Sequence, residues 1–300
     1  MLKAPNTDLW TIAIVEAPIA RALSADFLTA HRMVFGPKLA PFTFLADPFG
    51  LWRDETLYVF AEFFDYRDKI GRIDLLRYDR ALRLIDHSPA LGAPFHLSYP
   101  QLIEADGELF MLPEAHRSGK LTAYRAAAFP HRWERAFDLL DLPAIDATPF
   151  QVGDGWRMLF TQPGAGAMRQ TWMAQAPRFT GPWTVGPQPV HDDLATGRPG
   201  GTAFALGAQI YVPMQDCRAT YGGAVEIVAI DAAADTWATA GRVEPGVWAG
   251  PWRDGLHTLS AAGPVTLIDL KQSLISRRRW LIDWERRRRR LMGRTGRRGR

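Results

Sequence analysis

The feature that most limits what this chain can fold into is a hairpin that it writes five times. The clearest copy is Leu97–Glu114, LSYPQLIEADGELFMLPE. An apolar run, Tyr99–Ile103, meets Asp106-Gly107, and a second run, Leu109–Leu112, leads back to Glu114. Asp-Gly between two apolar runs is a strong hairpin signal, because the tight turn needs positive φ, which glycine supplies without steric cost. The start of one strand then lies beside the end of the other, so Tyr99 and Glu114 are expected as neighbours about 5 Å apart. Upstream, Asp47-Pro48-Phe49 leads through Asp54-Glu55 to Leu57–Glu62. Downstream, Asp146-Ala147-Thr148-Pro149 leads through Asp154-Gly155 to Met158–Gln162. Gly200-Gly201 leads past Gly207 to Gln215-Asp216, and His257-Thr258 past Gly263-Pro264 to Ile268.

The turns recur roughly every 50 residues, which is a propeller-type period. Five copies predict an all-β fold, a five-bladed β-propeller in which each blade is a four-stranded sheet around a central axis. The stretch Leu9–Val15 is expected to complete the last blade, and residues 18–40 to hold a short helix or loop. The propeller is read as one domain over residues 1–270. Beyond it, Leu274, Leu281, Trp284 and Leu291 recur near helical spacing among arginines. Residues 271–300 therefore read as a basic, helical tail with a disordered end after Gly293.

Charge and cysteine content narrow the function classes. The net charge is +4, but the arginines from Arg277 onward carry it, and the body without them is acidic. The basic total is thus no argument for a nucleic-acid surface on the propeller, and no specific nucleic acid is expected as a partner. One cysteine, Cys217, allows no intramolecular disulfide and suggests a reducing compartment. No secretory or membrane-spanning apolar run is present, so a cytoplasmic location is expected. The histidines show no metal-gathering spacing, and there is no phosphate loop or nucleophile elbow, so neither metal nor cofactor is expected.

The repeat collects polar residues at one edge of every blade. Inner strands of a propeller converge on the axis, so Asp47, Glu62, Tyr99, Gln101, Glu114, Asp146, Gln215, Asp216 and His257 should ring one mouth of the central channel. Paired carboxylates in such a funnel suit glycosidic-bond chemistry: one protonates the leaving oxygen, the other activates water or attacks the anomeric carbon. The plainer alternative is that these carboxylates cap exposed backbone amides.

Two resemblances follow from these motifs. Ala46-Asp47-Pro48 and Ile145-Asp146-Ala147-Thr148-Pro149-Phe150 look like the inner-strand motifs of five-bladed glycoside hydrolases of the arabinanase and β-xylosidase type. That resemblance implies Asp47 as general base, Asp146 as the group that tunes the acid and orients substrate, and His257 at the bottom of the site. A Glu would be the acid, and Glu114 is the better placed of Glu114 and Glu62. Over Asp47–Asp269 the chain is more specifically similar to the N-terminal domain of plant glucosamine inositolphosphorylceramide transferases. Ser98-Tyr99-Pro100-Gln101, Pro113-Glu114-Ala115, Arg198-Pro199-Gly200-Gly201, Gln215-Asp216-Cys217 and Gly255-Leu256-His257-Thr258 carry the likeness. The plant proteins add a glycosyltransferase domain after the propeller, where a basic tail stands here.

The reading is a propeller that makes or breaks a glycosidic bond on a glycan, glycolipid or nucleotide sugar, with transfer favoured over hydrolysis. Asp47, Glu114 and Asp146 are the expected catalytic residues. Glu62, Tyr99, Gln101, Arg198, Gln215, Asp216 and His257 are expected to hold substrate. The rival is a non-catalytic glycan-binding module serving a separate transferase. Residues 277–292, basic and aromatic, are expected to meet an anionic membrane surface.

Overall fold

A computed structural model of the chain describes residues 6–231 and 236–295. Its strands form five antiparallel sheets around one axis, as the repeat requires. The first blade runs outward from Thr43–Arg53 through Thr56–Asp65 and Arg72–Tyr78 to Leu84–Leu91. The second runs from Ser98–Ala105 through Glu108–Glu114 and Leu121–Ala128 to Arg132–Leu140. The third begins with Ile145–Val152, Gly155–Thr161 and Gln170–Ala176, and ends on the short pieces Thr184–Val185 and His191–Asp192. The fourth comprises Phe204–Leu206, Gln209–Asp216, Ala224–Asp231 and Thr236–Val243.

The fifth blade closes the ring. Its inner strands, Leu259–Ala262 and Val265–Ile275, come from the end of the chain, and its outer strands, Asn6–Val15 and Met33–Phe35, from the beginning. Asn6–Val15 pairs with Val265–Ile275 over ten residues, from Asn6↔Ile275 to Val15↔Thr266. Residues 18–40 supply a 3₁₀ turn, Ile19–Leu23, and one helical turn, Phe27–Ala30, besides the short outer strand.

Side-chain alternation explains how the blades hold together. Successive residues of a strand point to opposite faces, and each blade is covered on both faces by its neighbours. In the first blade Leu57, Val59 and Ala61 enter the core shared with the fifth blade, whereas Phe60 enters the core shared with the second. Leu109 and Met111 face the first blade, while Phe110 and Leu112 face the third. Five inter-blade cores result, one at each blade boundary.

All five inner hairpins use two-residue turns. Their central pairs are Asp54-Glu55, Asp106-Gly107, Gly153-Asp154, Gly207-Ala208 and Gly263-Pro264, each opening with positive φ. The third turn sits one residue earlier than Asp154-Gly155, because the glycine that takes positive φ is Gly153. At the other end of the inner strands the sequence register fails for a clear reason. A bulge inserts an extra residue in each of the first three blades: Ala46↔Glu62 is followed by Phe49↔Phe60, Ser98↔Glu114 by Gln101↔Leu112, and Ile145↔Thr161 by Thr148↔Leu159. Ser98, not Tyr99, is therefore opposite Glu114, and Thr161 rather than Gln162 holds the matching place in the third blade. The first bulge residues, Asp47, Tyr99 and Asp146, all lie in the left-handed region, at φ 50, 45 and 52°.

The ring closure yields a stability test. Ile14 is buried between the fifth and first blades with Leu57, Val59 and Leu267. Ile14→Ala should cost about 2–5 kcal/mol in urea unfolding, the range for a buried aliphatic truncation. A loss under about 0.5 kcal/mol, typical of a surface position, would contradict a closing role for the N-terminal strand.

Candidate active site

The three bulges set up the site. A bulge breaks the ladder, re-aims its side chain and leaves backbone N–H groups without strand partners. Carboxylates take those donors. Asp269 lies opposite the fifth-blade kink and accepts from the N–H groups of His257 and Thr258, each at 3.0 Å. Its other oxygen accepts from the Asp47 N–H of the first blade, also at 3.0 Å. Asp47 in turn accepts from the Tyr99 N–H of the second blade at 3.2 Å and from Thr258 Oγ1 at 2.8 Å. The Tyr99 hydroxyl accepts from the Gly201 N–H at 2.6 Å and meets Thr148 Oγ1 at 2.8 Å. Close approach of the fourth and fifth blades makes this possible: a Cβ on Gly201 would fall 1.8 Å from the Leu259 carbonyl oxygen.

Around this hub sit five carboxyl groups, all buried: Asp47, Glu62, Glu114, Asp146 and Asp269. Four lie within ion-pair distance of His257, Arg198 or His116, two of them sharing His257. His257 Nδ1 is 2.7 Å from Asp269 and its Nε2 is 3.4 Å from Asp47, with the ring stacked on Trp10 at 4.0 Å between centroids. Arg198 Nε donates to Asp146 at 2.7 Å, and Gln215 Nε2 donates to the same oxygen at 2.7 Å. Glu114 accepts from the His116 N–H at 2.7 Å and from Ser98 Oγ at 2.9 Å, and the His116 ring lies 2.6 Å away.

The ionisation behaviour follows this pairing. Burial pushes the Asp47 carboxyl up to about 7, with the charges of Asp146 and Asp269 adding to it and His257 opposing. Burial also pushes Glu62 well above the carboxylate range, and the charges of Asp47 and Glu114 add to the rise. Asp146 is raised by burial, with Arg198 opposing. Glu114 behaves differently. Burial works to raise it, but the ring and backbone N–H of His116 outweigh burial and hold it below its ordinary value. Burial also works against a charged Asp269, and His257 outweighs it. For His257, burial favours the neutral ring, and Asp269 and Asp47 together hold it above its ordinary value.

Glu62 has one further neighbour. His96 Nδ1 accepts from the Gly71 N–H at 2.9 Å, so its Nε2 carries the proton that faces Glu62 Oε1 at 3.3 Å. Burial keeps this imidazole neutral by lowering its pKa.

The sequence-predicted residues thus divide. Asp47, Glu62, Glu114, Asp146, Arg198, Gln215 and His257 meet in one electrostatic cluster. Tyr99 is fully buried with its hydroxyl committed to Thr148 and Gly201, so it joins blades rather than facing the mouth. Gln101 lies past the bulge, in a cavity with Pro149, Phe150 and Thr202 further along the inner strands. Asp216 is drawn outward by Arg218 and Arg242, at 2.9 and 2.8 Å, on the neighbouring loop and strand. Asp269, His96 and His116 were missed. Asp47, His257 and Asp269 also offer three ligand atoms within 4.8 Å of one another, a geometry compatible with a cation. The imidazole between the carboxylates fills the same electrostatic need.

The family-level comparison agrees with the motifs. Residues 25–239 match the family model described as glucosamine inositolphosphorylceramide transferase 1, N-terminal. The chain belongs to this family. It is 32% identical over 200 residues to the glucosamine inositolphosphorylceramide transferase 1 of Oryza sativa subsp. japonica, covering 64% of this chain and 27% of that protein. The Arabidopsis thaliana transferase is 30% identical over 200 residues, 64% of this chain and 26% of its own length. The chain thus spans about a quarter of the curated relatives it matches. Among solved structures, the catalytic domain of the Coprinopsis cinerea family-62 α-L-arabinofuranosidase superposes with a TM-score of 0.58 at 11% identity, over 79% of this chain and 94% of that one. A family-43 β-xylosidase/α-arabinofuranosidase from a compost metagenome gives 0.56 at 12% identity, over 79% and 92%. At such identities these two show the fold alone.

The cluster makes stability depend on pH in a stated direction. Asp47, Glu62, Asp146 and His257 bind their protons more tightly folded than unfolded. Their contribution is complete below the unfolded pKa of each and is lost as pH rises through the folded one. For Asp47 that window extends upward through about 7. Glu114 and Asp269 act oppositely, losing their contribution only in acid. The melting temperature should therefore fall between about pH 5 and pH 8, and Asp47→Asn should flatten that fall. A wild-type melting temperature that rises across this interval would contradict the assignment.

Proposed function

We propose that the axial cluster acts on a glycosidic bond of a glycan, glycolipid or nucleotide sugar, with transfer favoured over hydrolysis. One observation carries this reading: the pKa values of neighbouring carboxyls are pushed apart, with Glu62 raised well above its ordinary value and Glu114 held below. Such divergence separates an acid from a base at neutral pH. In this reading Glu62 holds the proton that the leaving oxygen takes, whereas the His116 contacts hold Glu114 ionised. That exchanges the acid role expected for Glu114. Asp47 remains the base or nucleophile, since each of its oxygens has a lone pair beyond the bond it already accepts. Asp146, held by Arg198 and Gln215, orients substrate. The relatives' name supports a sugar and glycolipid setting, and the activity of the whole plant proteins comes to this chain only as part of the proposal.

The rival, a binding module for a separate transferase, is favoured by one fact: both Asp47 oxygens already serve the fold. A panel of sugars and nucleotide sugars, screened by thermal shift, identifies the ligand. With that ligand, Asp47→Asn and Glu62→Gln should each lower turnover by a factor on the order of 100 or more, with folding retained. Near-normal turnover in both variants, or binding without turnover in the wild type, leaves only the binding module.

The proposal extends to where the protein works. The helix Arg278–Thr295 buries one arginine and leaves apolar side chains exposed beside exposed arginines. Arg279 is buried against the Tyr66 ring, 4.0 Å from its centroid, whereas Leu281 and Trp284 are 64% and 59% exposed. No helix among the described residues is long and apolar enough to cross a membrane. Exposed Trp and Leu among arginines suit the interface of an anionic bilayer instead. We place the protein at the cytoplasmic membrane face, docked through residues 277–292. Leu281→Ser with Trp284→Ser should lower co-sedimentation with anionic vesicles about tenfold or more, from lost apolar burial. Undiminished sedimentation of the double variant would sink this part.

A further inference from the structure

We infer that Tyr221 walls a subsite for an uncharged sugar ring at the mouth of the axial cluster. This rests on the glycosidic-bond reading only in placing a sugar there. Tyr221 lies in loop 217–223, between the second and third strands of the fourth blade. The loop is pinned against the site. Gly222 takes φ 59°, and a Cβ there would fall 2.7 Å from His257 Cβ and 2.9 Å from Trp10 Cη2. The Gly222 carbonyl accepts from the Leu256 N–H at 3.0 Å, and the Cys217 N–H donates to the Leu194 carbonyl at 2.8 Å. Lys271, fully buried, donates to Thr220 Oγ1 at 3.2 Å and to the Tyr221 carbonyl.

The loop thereby holds the Tyr221 ring at 77° to that of His257, 5.3 Å between centroids, with the Arg198 guanidinium carbon 5.3 Å from the tyrosine centroid. Trp10 and Tyr99, which also touch the cluster, are buried, whereas Tyr221 is 37% exposed. Its hydroxyl has no hydrogen-bond partner among the described residues. Burial pushes the phenol pKa well above its ordinary value, Arg198 opposes, and Asp146 and Asp47 add to the rise, so the hydroxyl stays a neutral donor. Met168, 36% exposed, adds apolar surface beside Arg198, its Sδ 3.6 Å from Nη1. Apolar side chains left open beside a polar cluster mark a binding surface. Charge complementarity names the occupant. The carboxyl groups of the axis repel an anion, and Arg198 against the ring repels a cation. A neutral sugar fits both limits: its C–H face covers an aromatic ring, and its hydroxyls donate to carboxylates and accept from a phenol.

The full chain is titrated with methyl β-D-glucopyranoside, methyl β-D-galactopyranoside and methyl α-D-mannopyranoside, followed by saturation-transfer NMR, with glucose 1-phosphate and glucosamine as charged controls. Saturable binding of at least one methyl glycoside is expected. Tyr221→Ala should weaken it about tenfold, as for loss of an aromatic contact, and Tyr221→Phe, which keeps the ring, should retain most of it. Where Tyr221→Ala melts early, Tyr221→Leu, which fills the loop without an aromatic face, reads the same loss. No saturable binding of any methyl glycoside, tighter binding of either charged sugar, or undiminished binding by the folded Tyr221→Ala chain overturns the inference. Released methanol is read in the same tubes. Its absence with the wild-type chain counts against the glycosidic-bond reading alone, and its presence with undiminished binding in Tyr221→Ala counts against Tyr221 alone.

Discussion

Backbone N–H groups that a bulged strand cannot pair are the constraint on which this structure depends. Each unsatisfied buried group costs about 1–3 kcal/mol. The left-handed backbone at Asp47, Tyr99 and Asp146 adds about 1–2 kcal/mol per residue. The answer is a relay around the axis. Asp269 of the fifth blade takes donors from its own blade and from Asp47, Asp47 takes the Tyr99 donor of the second blade, and Tyr99 takes the Gly201 donor of the fourth. Pro48 and Pro100 help by following two of the bulge residues with a position that has no N–H to satisfy.

That relay brings more negative charge to the axis than the local cations match. Asp269 has His257, Asp146 has Arg198 and Glu114 has His116. Asp47 shares His257 with Asp269, and Glu62 faces an imidazole that burial keeps neutral. Burial pushes Asp47 and Glu62 upward first, and the unmatched negative charge adds to the rise. Asp146 is raised by burial as well, with Arg198 opposing the rise.

Much of this was legible in the sequence because period and turn chemistry survive local irregularity. The five hairpins, the blade count and the closing N-terminal strand follow from alternation and from Gly and Asp at the turns. The pairing errors share one cause. A single inserted residue shifts pairing and reverses which face later residues occupy. The aligned prolines concealed it, so Tyr99 was matched to Glu114, Gln162 to Thr161's place, and Gln101 to the mouth. Asp269 was invisible for a different reason: it sits inside an apolar strand, LIDL, at the place of Phe60 in the first blade. Asp216 lies one residue past the place of Glu62, which Gln215 holds, and Arg218 and Arg242 bind it on the neighbouring loop and strand. His96 and His116 lie in connections between strands, where the repeat carries no information.

A carboxylate that serves the fold is not thereby lost to chemistry. Asp47 accepts one bond on each oxygen, and a carboxylate oxygen offers two lone pairs. The structural bonds fix its rotamer, which is what a base needs if it is to wait in position rather than be organised during the reaction. The excess negative charge points the same way. Cleavage of a glycosidic bond passes through an oxocarbenium-like, positively charged transition state. On the proposed reading, the repulsion that raises Asp47 and Glu62 would also be relieved by a cation forming between the carboxylates. On that reading the interaction would be stronger in the transition state than with a neutral sugar, and that difference is the condition for catalysis rather than binding.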